Sequence, residues 1–159
     1  MKWLLPLLLL FVFMRADETG RNEHDLYLTL YMPSVHFSKS DTTDKKFNDT
    51  HKAYGIEYIM DRQYSLTYIH FINSRYKDVD AVGIGYLLNF NDDFGLQFIG
   101  GYQEGYCFNG LLNSVACQED KSSKSAFLLP LLFYKHEYFK LDFFTNSDML
   151  AFRLNIKIF

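Results

Sequence analysis

From Leu26 onward the chain alternates apolar and polar side chains with a period of two. Leu26, Leu28, Leu30 and Met32 share one parity, while Tyr27, Thr29 and Tyr31 share the other. Successive side chains on an extended backbone point to opposite faces, so this pattern predicts a strand. Seven further segments behave alike: 53–60, 64–72, 79–90, 94–102, 125–134, 138–145 and 149–159. In one of the clearest, Val82, Ile84, Tyr86, Leu88 and Phe90 oppose Ala81, Gly83 and Gly85. In the last, Leu150, Phe152, Leu154, Ile156 and Ile158 oppose Ala151, Arg153, Asn155 and Lys157. No stretch carries a convincing period of 3.6 residues, so helices are not expected.

The connections fall into two classes that alternate along the chain. Asp61-Arg62-Gln63, Asn91-Asp92-Asp93 and Lys135-His136-Glu137 read as tight turns, whereas 38–52, 73–78 and 103–124 are longer and polar. Only Asn146-Ser147-Asp148 breaks the alternation. An even number of amphipathic strands, with short turns at one end and long loops at the other, predicts an all-β, eight-stranded antiparallel transmembrane β-barrel. A soluble eight-stranded barrel would be apolar inside and polar outside. The continuous apolar face of the last strand, opposite Arg153, Asn155 and Lys157, favours the inverted polarity with lipid outside.

At 159 residues, the chain suits one domain. An aromatic content of 18% beside 22% charged residues excludes disorder. The longest apolar run, from Trp3 to Met14, is too short for a spanning helix. It follows Lys2 and precedes Arg15-Ala16-Asp17, so residues 1–16 read as an export signal cleaved near Ala16, leaving 17–159 as the barrel. Losing Lys2 and Arg15 makes a chain of formal charge -3 more acidic still. With no dense Lys/Arg cluster, nucleic acid is not an expected partner. Cys107 and Cys117 lie in a Gly/Asn/Ser-rich segment, and export places them where a loop-stapling disulfide forms. Two thiols without a nearby His make a poor zinc site, and neither a metal nor a cofactor is expected.

The stretch FINSRYKDVDAVGIGY, from Phe71 to Tyr86, resembles the lipid A palmitoyltransferase family PagP, in which Phe-x-Asp-Ser at the top of a strand leads into a loop and a Gly-x-Gly strand. Three other patches keep the family's order: LYMP at Leu30 to Pro33 followed by His36, KKFND at Lys45 to Asp49, and FLLPLL at Phe127 to Leu132. Together they span about residues 25–159. The resemblance implies that His36 is the catalytic histidine and Ser74 the catalytic serine. Asn73 stands where the family has a catalytic Asp, so a charge is missing, and Asp78 or Asp80 on the same loop is a possible replacement. The strand assignment independently brings His36, Asn73 and Ser74 to one rim.

Acyl transfer needs a base for the attacking hydroxyl, the natural role of His36, with Ser74 orienting the acceptor or stabilising the oxyanion. Pro33 and Pro130 each fall inside a strand, where the missing N–H interrupts the ladder. In the family, prolines flank two lateral openings for lipid, and these two resemble one member of each pair; the partner positions, around His51 and Thr145, are not proline here. Gly85 matches the floor of the family's acyl pocket, with Ile99, Leu87 and Ala81 as apolar neighbours. The family's N-terminal amphipathic helix has no counterpart of sufficient length in DETGRNEH at 17–24, so the chain resembles a reduced member. The implied protein is a monomeric enzyme of the cell outer membrane whose partners are a phospholipid donor and a lipid A acceptor. The alternative is a non-catalytic small barrel that binds lipid or acts through its surface loops.

Overall fold

The computed structural model describes residues 24–37, 48–74, 76–105, 124–145 and 149–159. The expected signal at 1–16 and the expected Cys107–Cys117 pair lie outside the described residues. All regular structure among the described residues is strand: β1 (His24–His36), β2 (Thr50–His51), β3 (Ala53–Met60), β4 (Tyr64–Ile72), β5 (Asp78–Asn89), β6 (Phe94–Glu104), β7 (Lys124–Lys135), β8 (Phe139–Thr145) and β9 (Met149–Lys157). Each strand from β3 onward pairs antiparallel with the next, and β9 pairs back onto β1. β2 and β3 both pair with β1 and act as one bent wall strand, so the closed barrel has eight. Closure gives each wall strand a neighbour on both sides over at least part of its length, which is how strands satisfy their backbone groups in a bilayer.

The polarity is inverted relative to a soluble protein. Leu28, Val82, Ile84, Leu88 and Leu132 point outward, and Ile84 is 69% exposed. Inside, Glu57, Gln97, Lys140, Asp142 and Arg153 are buried. Aromatic side chains crowd both ends of the outer face: Tyr64, Phe90, Phe94 and Tyr138 by the tight turns, Tyr31, Tyr54 and Tyr102 toward the loops. An apolar belt bounded by aromatic girdles around a polar interior is the signature of a transmembrane barrel.

The interior has three storeys. Nearest the tight turns, Tyr27, Ile59, Leu87 and Phe133 form a small apolar cluster. Above it lies an ionic network. Lys140 Nζ reaches Glu57 Oε2, Asp142 Oδ1 and Gln97 Oε1, each at 2.8 Å. Arg153 Nη2 lies 2.7 Å from Asp142 and 3.4 Å from Glu57. Gln97 Nε2 donates to Glu57 Oε1 and to Ser65 Oγ, and Asn155 Nδ2 donates to Asp142. Two carboxylates thus face two cations with amides filling the remaining sites, the condition under which buried charge is tolerated. The top storey is an apolar cavity of about 120 Å³.

β1 departs from simple alternation. Its register against β9 shifts between Thr29 and Tyr31, and Leu30 and Tyr31 both face outward. This β-bulge moves Met32, expected to share the face of Leu30, to the inside. It also turns Ser34 inward, where Ser34 is buried. Without the extra residue the upper part of β1 would present these side chains to lipid.

Candidate active site

His36 ends β1 at the loop rim. Its Nδ1 lies 3.0 Å from Asp49 Oδ1, and its Nε2 lies 2.9 Å from Ser74 Oγ. A carboxylate only accepts, so Nδ1 carries the proton and Nε2 accepts from the Ser74 hydroxyl. The imidazole side chain is 9% exposed, whereas that of Asp49 is 46% exposed. Hydroxyl, imidazole and carboxylate therefore stand in the order used for activating a nucleophile, with the base oriented by a third group.

Backbone pairing fixes all three residues. The Ser34 amide donates to the Asp49 carbonyl at 3.0 Å, and the Asn48 amide donates to the Ser74 carbonyl at 3.0 Å. Asn48 Nδ2 also donates to the Asn73 carbonyl. The start of β2 is thus held between the end of β1 and the β4–β5 turn. That turn is tighter than the long loop expected at 73–78. Asn73 Oδ1 accepts from the Lys77 amide at 3.0 Å, the Asn73 amide donates to the Lys77 carbonyl, and Tyr76 takes a left-handed φ of 60°. Asn readily closes turns in this way.

The expected trio His36, Asn73 and Ser74 is therefore only partly assembled. His36 and Ser74 meet, but the Asn73 side chain holds the turn that presents Ser74, and the carboxylate at His36 belongs to Asp49. Asp78 and Asp80 do not replace the charge: they flank His70 at 3.6 and 3.2 Å on the outward face. Asp49 lies in the KKFND patch, yet it is thirteen positions from His36, and only pairing across β1 and β2 brings them together.

Ser74 also lines the cavity, with Asn73, His51, Met32, Phe127 and Leu129 among its other walls. Ala81 and Ile99 line it as expected, while Leu87 lies in the lowest storey. Gly83 rather than Gly85 borders the empty space. A side chain at Gly85 would run into Ser65 Oγ and lie 2.9 Å from Gln97 Nε2, so this glycine makes room for the ionic network, not for an acyl chain.

The wall beside the cavity is thin in two places. β7 pairs with β6 over its whole length but with β8 only from Leu132↔Phe143 to Lys135↔Lys140. Pro130 lies in the stretch that has parted from β8, and Leu129, Leu131 and Phe144 line the cavity from the two sides of the gap. The second place is beside Pro33, whose Cα partner is Thr50. There Leu30 and Tyr31 have no partner in β2 or β3, and an outer groove runs past them, Lys52 and Tyr54 to His51.

No protein-family model and no curated protein matches the chain. Its structure is similar to a de novo designed transmembrane β-barrel, with a TM-score of 0.51 and 13% identity over 89% of this chain and 99% of that one. It also matches the backbone structure of the Yersinia pestis outer membrane protein Ail in a phospholipid bilayer nanodisc, with a TM-score of 0.46 and 13% identity over 87% of this chain and 100% of that one. At such identity the designed barrel speaks for the fold. Fold, apolar belt and polar interior agree: the chain is a small transmembrane β-barrel.

Proposed function

We propose that the barrel is an acyltransferase that moves a palmitoyl chain from a phospholipid to lipid A. The observation that carries this reading is the Asp49–His36–Ser74 arrangement at the mouth of an apolar cavity whose wall is open between β7 and β8. An acyl chain entering from the bilayer finds a dry slot among Ile69, Ile99, Phe127 and Leu131. Its ester end then lies toward the rim, where His36 takes the proton of the acceptor hydroxyl as that oxygen attacks. Asp49 stabilises the imidazolium that forms, and Ser74 orients the acceptor. The sequence resemblance supplies the donor and acceptor classes.

Mass spectrometry of lipid A from cells expressing the chain tests the proposal. A gain of one palmitoyl group is expected. Lipid A of unaltered mass overturns the reading and leaves a non-catalytic barrel that binds lipid or works through its loops.

A further inference from the structure

A second serine–histidine pair lies deeper on the same strand. Ser34 Oγ is 2.7 Å from His51 Nε2, and His51 Nδ1 is 2.6 Å from the Ile72 carbonyl oxygen. A carbonyl cannot donate, so Nδ1 carries the proton and the Nε2 lone pair faces the Ser34 hydroxyl. Both residues are 3% exposed. The pair repeats the logic of the rim, with a backbone carbonyl in place of Asp49 as the group that fixes the tautomer.

Its position is what separates it from an ordinary buried polar contact. His51 lines both the inner cavity and the outer groove beside Leu30 and Tyr31. The Cα partner of Ser34 across the β1–β9 ladder is Ala151, another cavity wall. The Ser34 hydroxyl is therefore bonded to a side chain that faces both the cavity and the outer groove, three residues from Tyr31, where the pairing of β1 with β2 and β3 is interrupted.

We propose that Ser34 is a nucleophile that takes an acyl chain from a phospholipid ester, with His51 as its base. Ser34 Oγ attacks the ester carbonyl and its proton passes to His51 Nε2. The bond from the carbonyl carbon to the glycerol oxygen breaks, and that oxygen leaves as an alcohol carrying the proton from His51. An acceptor hydroxyl then attacks the acyl carbonyl as His36 takes its proton, the bond to Ser34 Oγ breaks, and Ser34 Oγ regains a proton from water through His51 while His36 releases its own to water. Two pairs divide the work: the inner pair accepts the chain, and the rim pair prepares the acceptor. The substrate rests on the acyltransferase reading; the reactivity of Ser34 does not.

The test treats the folded barrel in detergent with a hexadecyl fluorophosphonate, which forms an Oγ–P bond and releases fluoride. Peptide mapping of the wild-type adduct should place it on Ser34. Ser34→Ala should abolish labelling, and His51→Gln should slow it by about 10² or more. Heat-shifted migration on SDS gels certifies folding, and the wild-type map locates the adduct even where a variant does not fold. An unlabelled barrel, or an adduct on Ser74, overturns the proposal and shows the pair to be a staple between β1 and β2. Labelling at Ser34 with unaltered lipid A keeps this proposal and sinks the acceptor assignment. Palmitoylated lipid A with an unlabelled Ser34 does the reverse.

Discussion

The two halves of the barrel interior receive the same kind of positions from the same alternation, yet they are built for opposite ends. Toward the tight turns, Glu57, Lys140, Asp142 and Arg153 fill the lumen with paired charges beneath amide caps. Toward the loops the lumen is a largely apolar cavity, the β7–β8 ladder has ended, and polar groups gather at the rim and along the β1–β2 seam. The ionic half fixes the diameter and closes the floor, because every charge there needs its partner. The open half forgoes packing, and that gives lipid somewhere to go. A filled half supporting an unfilled one leaves room in a barrel this small for the proposed site.

The contrast breaks first at the rim. His36→Ala should lower acyl transfer about 10² to 10⁴-fold while leaving heat-modifiable migration intact, since the imidazole lies above the network and outside its bonds. A variant that transfers like wild type removes His36 from the chemistry. Glu57→Ala should do the converse. It leaves Lys140 and Arg153 facing Asp142 alone, a loss of about 3 to 5 kcal/mol for a broken buried pair. Urea titration of the refolded barrel should show the drop, with any loss of transfer explained by the folded fraction; an unshifted midpoint contradicts the role given to the network.

Gly83 and Gly85 mark the border between the halves, two residues apart on one inner face. A methyl at Gly83 would press on Ile99 Cγ2 and lie 3.1 Å from the Gly100 carbonyl, so Gly83→Ala should narrow the cavity and shift the preferred acyl chain to a shorter length. Gly85→Ala should instead disturb Ser65 and Gln97, costing about 1 to 3 kcal/mol of stability with the chain preference unchanged. Transfer assays across a series of phospholipid chain lengths, run beside urea titrations, read both effects. Exchanged behaviour of the two variants would move the cavity floor down one level.

The smallest effect belongs to the β3–β4 turn, where Asp61 and Arg62 hold left-handed φ values of 52° and 57°. Arg62→Gly should relieve about 1 kcal/mol of backbone strain, offset in part by loss of the exposed pair with Asp92. A slightly higher urea midpoint with unchanged transfer is expected, because this turn belongs to the closed half.

The sequence by itself determined the architecture. Alternation in 53–60, 64–72 and the later segments set which side chains face lipid, and a period of two survives almost any detail of packing. The bulge at Leu30 had no such signal, since extending the early parity of β1 would have placed Ser34 and Met32 on the lipid face. His36 and Ser74 were legible through motif resemblance, but their third member was not. Asn73 carried the expected place in the motif and became a turn residue because its side chain accepts from the Lys77 amide across the connection between β4 and β5. Asp49, His51 and Ser34 enter only through strand register. Which carboxylate meets an imidazole, and which glycine meets empty space, depends on offsets of one residue between strands far apart in the chain. Such offsets are decided by bulges and ladder ends that the tertiary structure alone fixes.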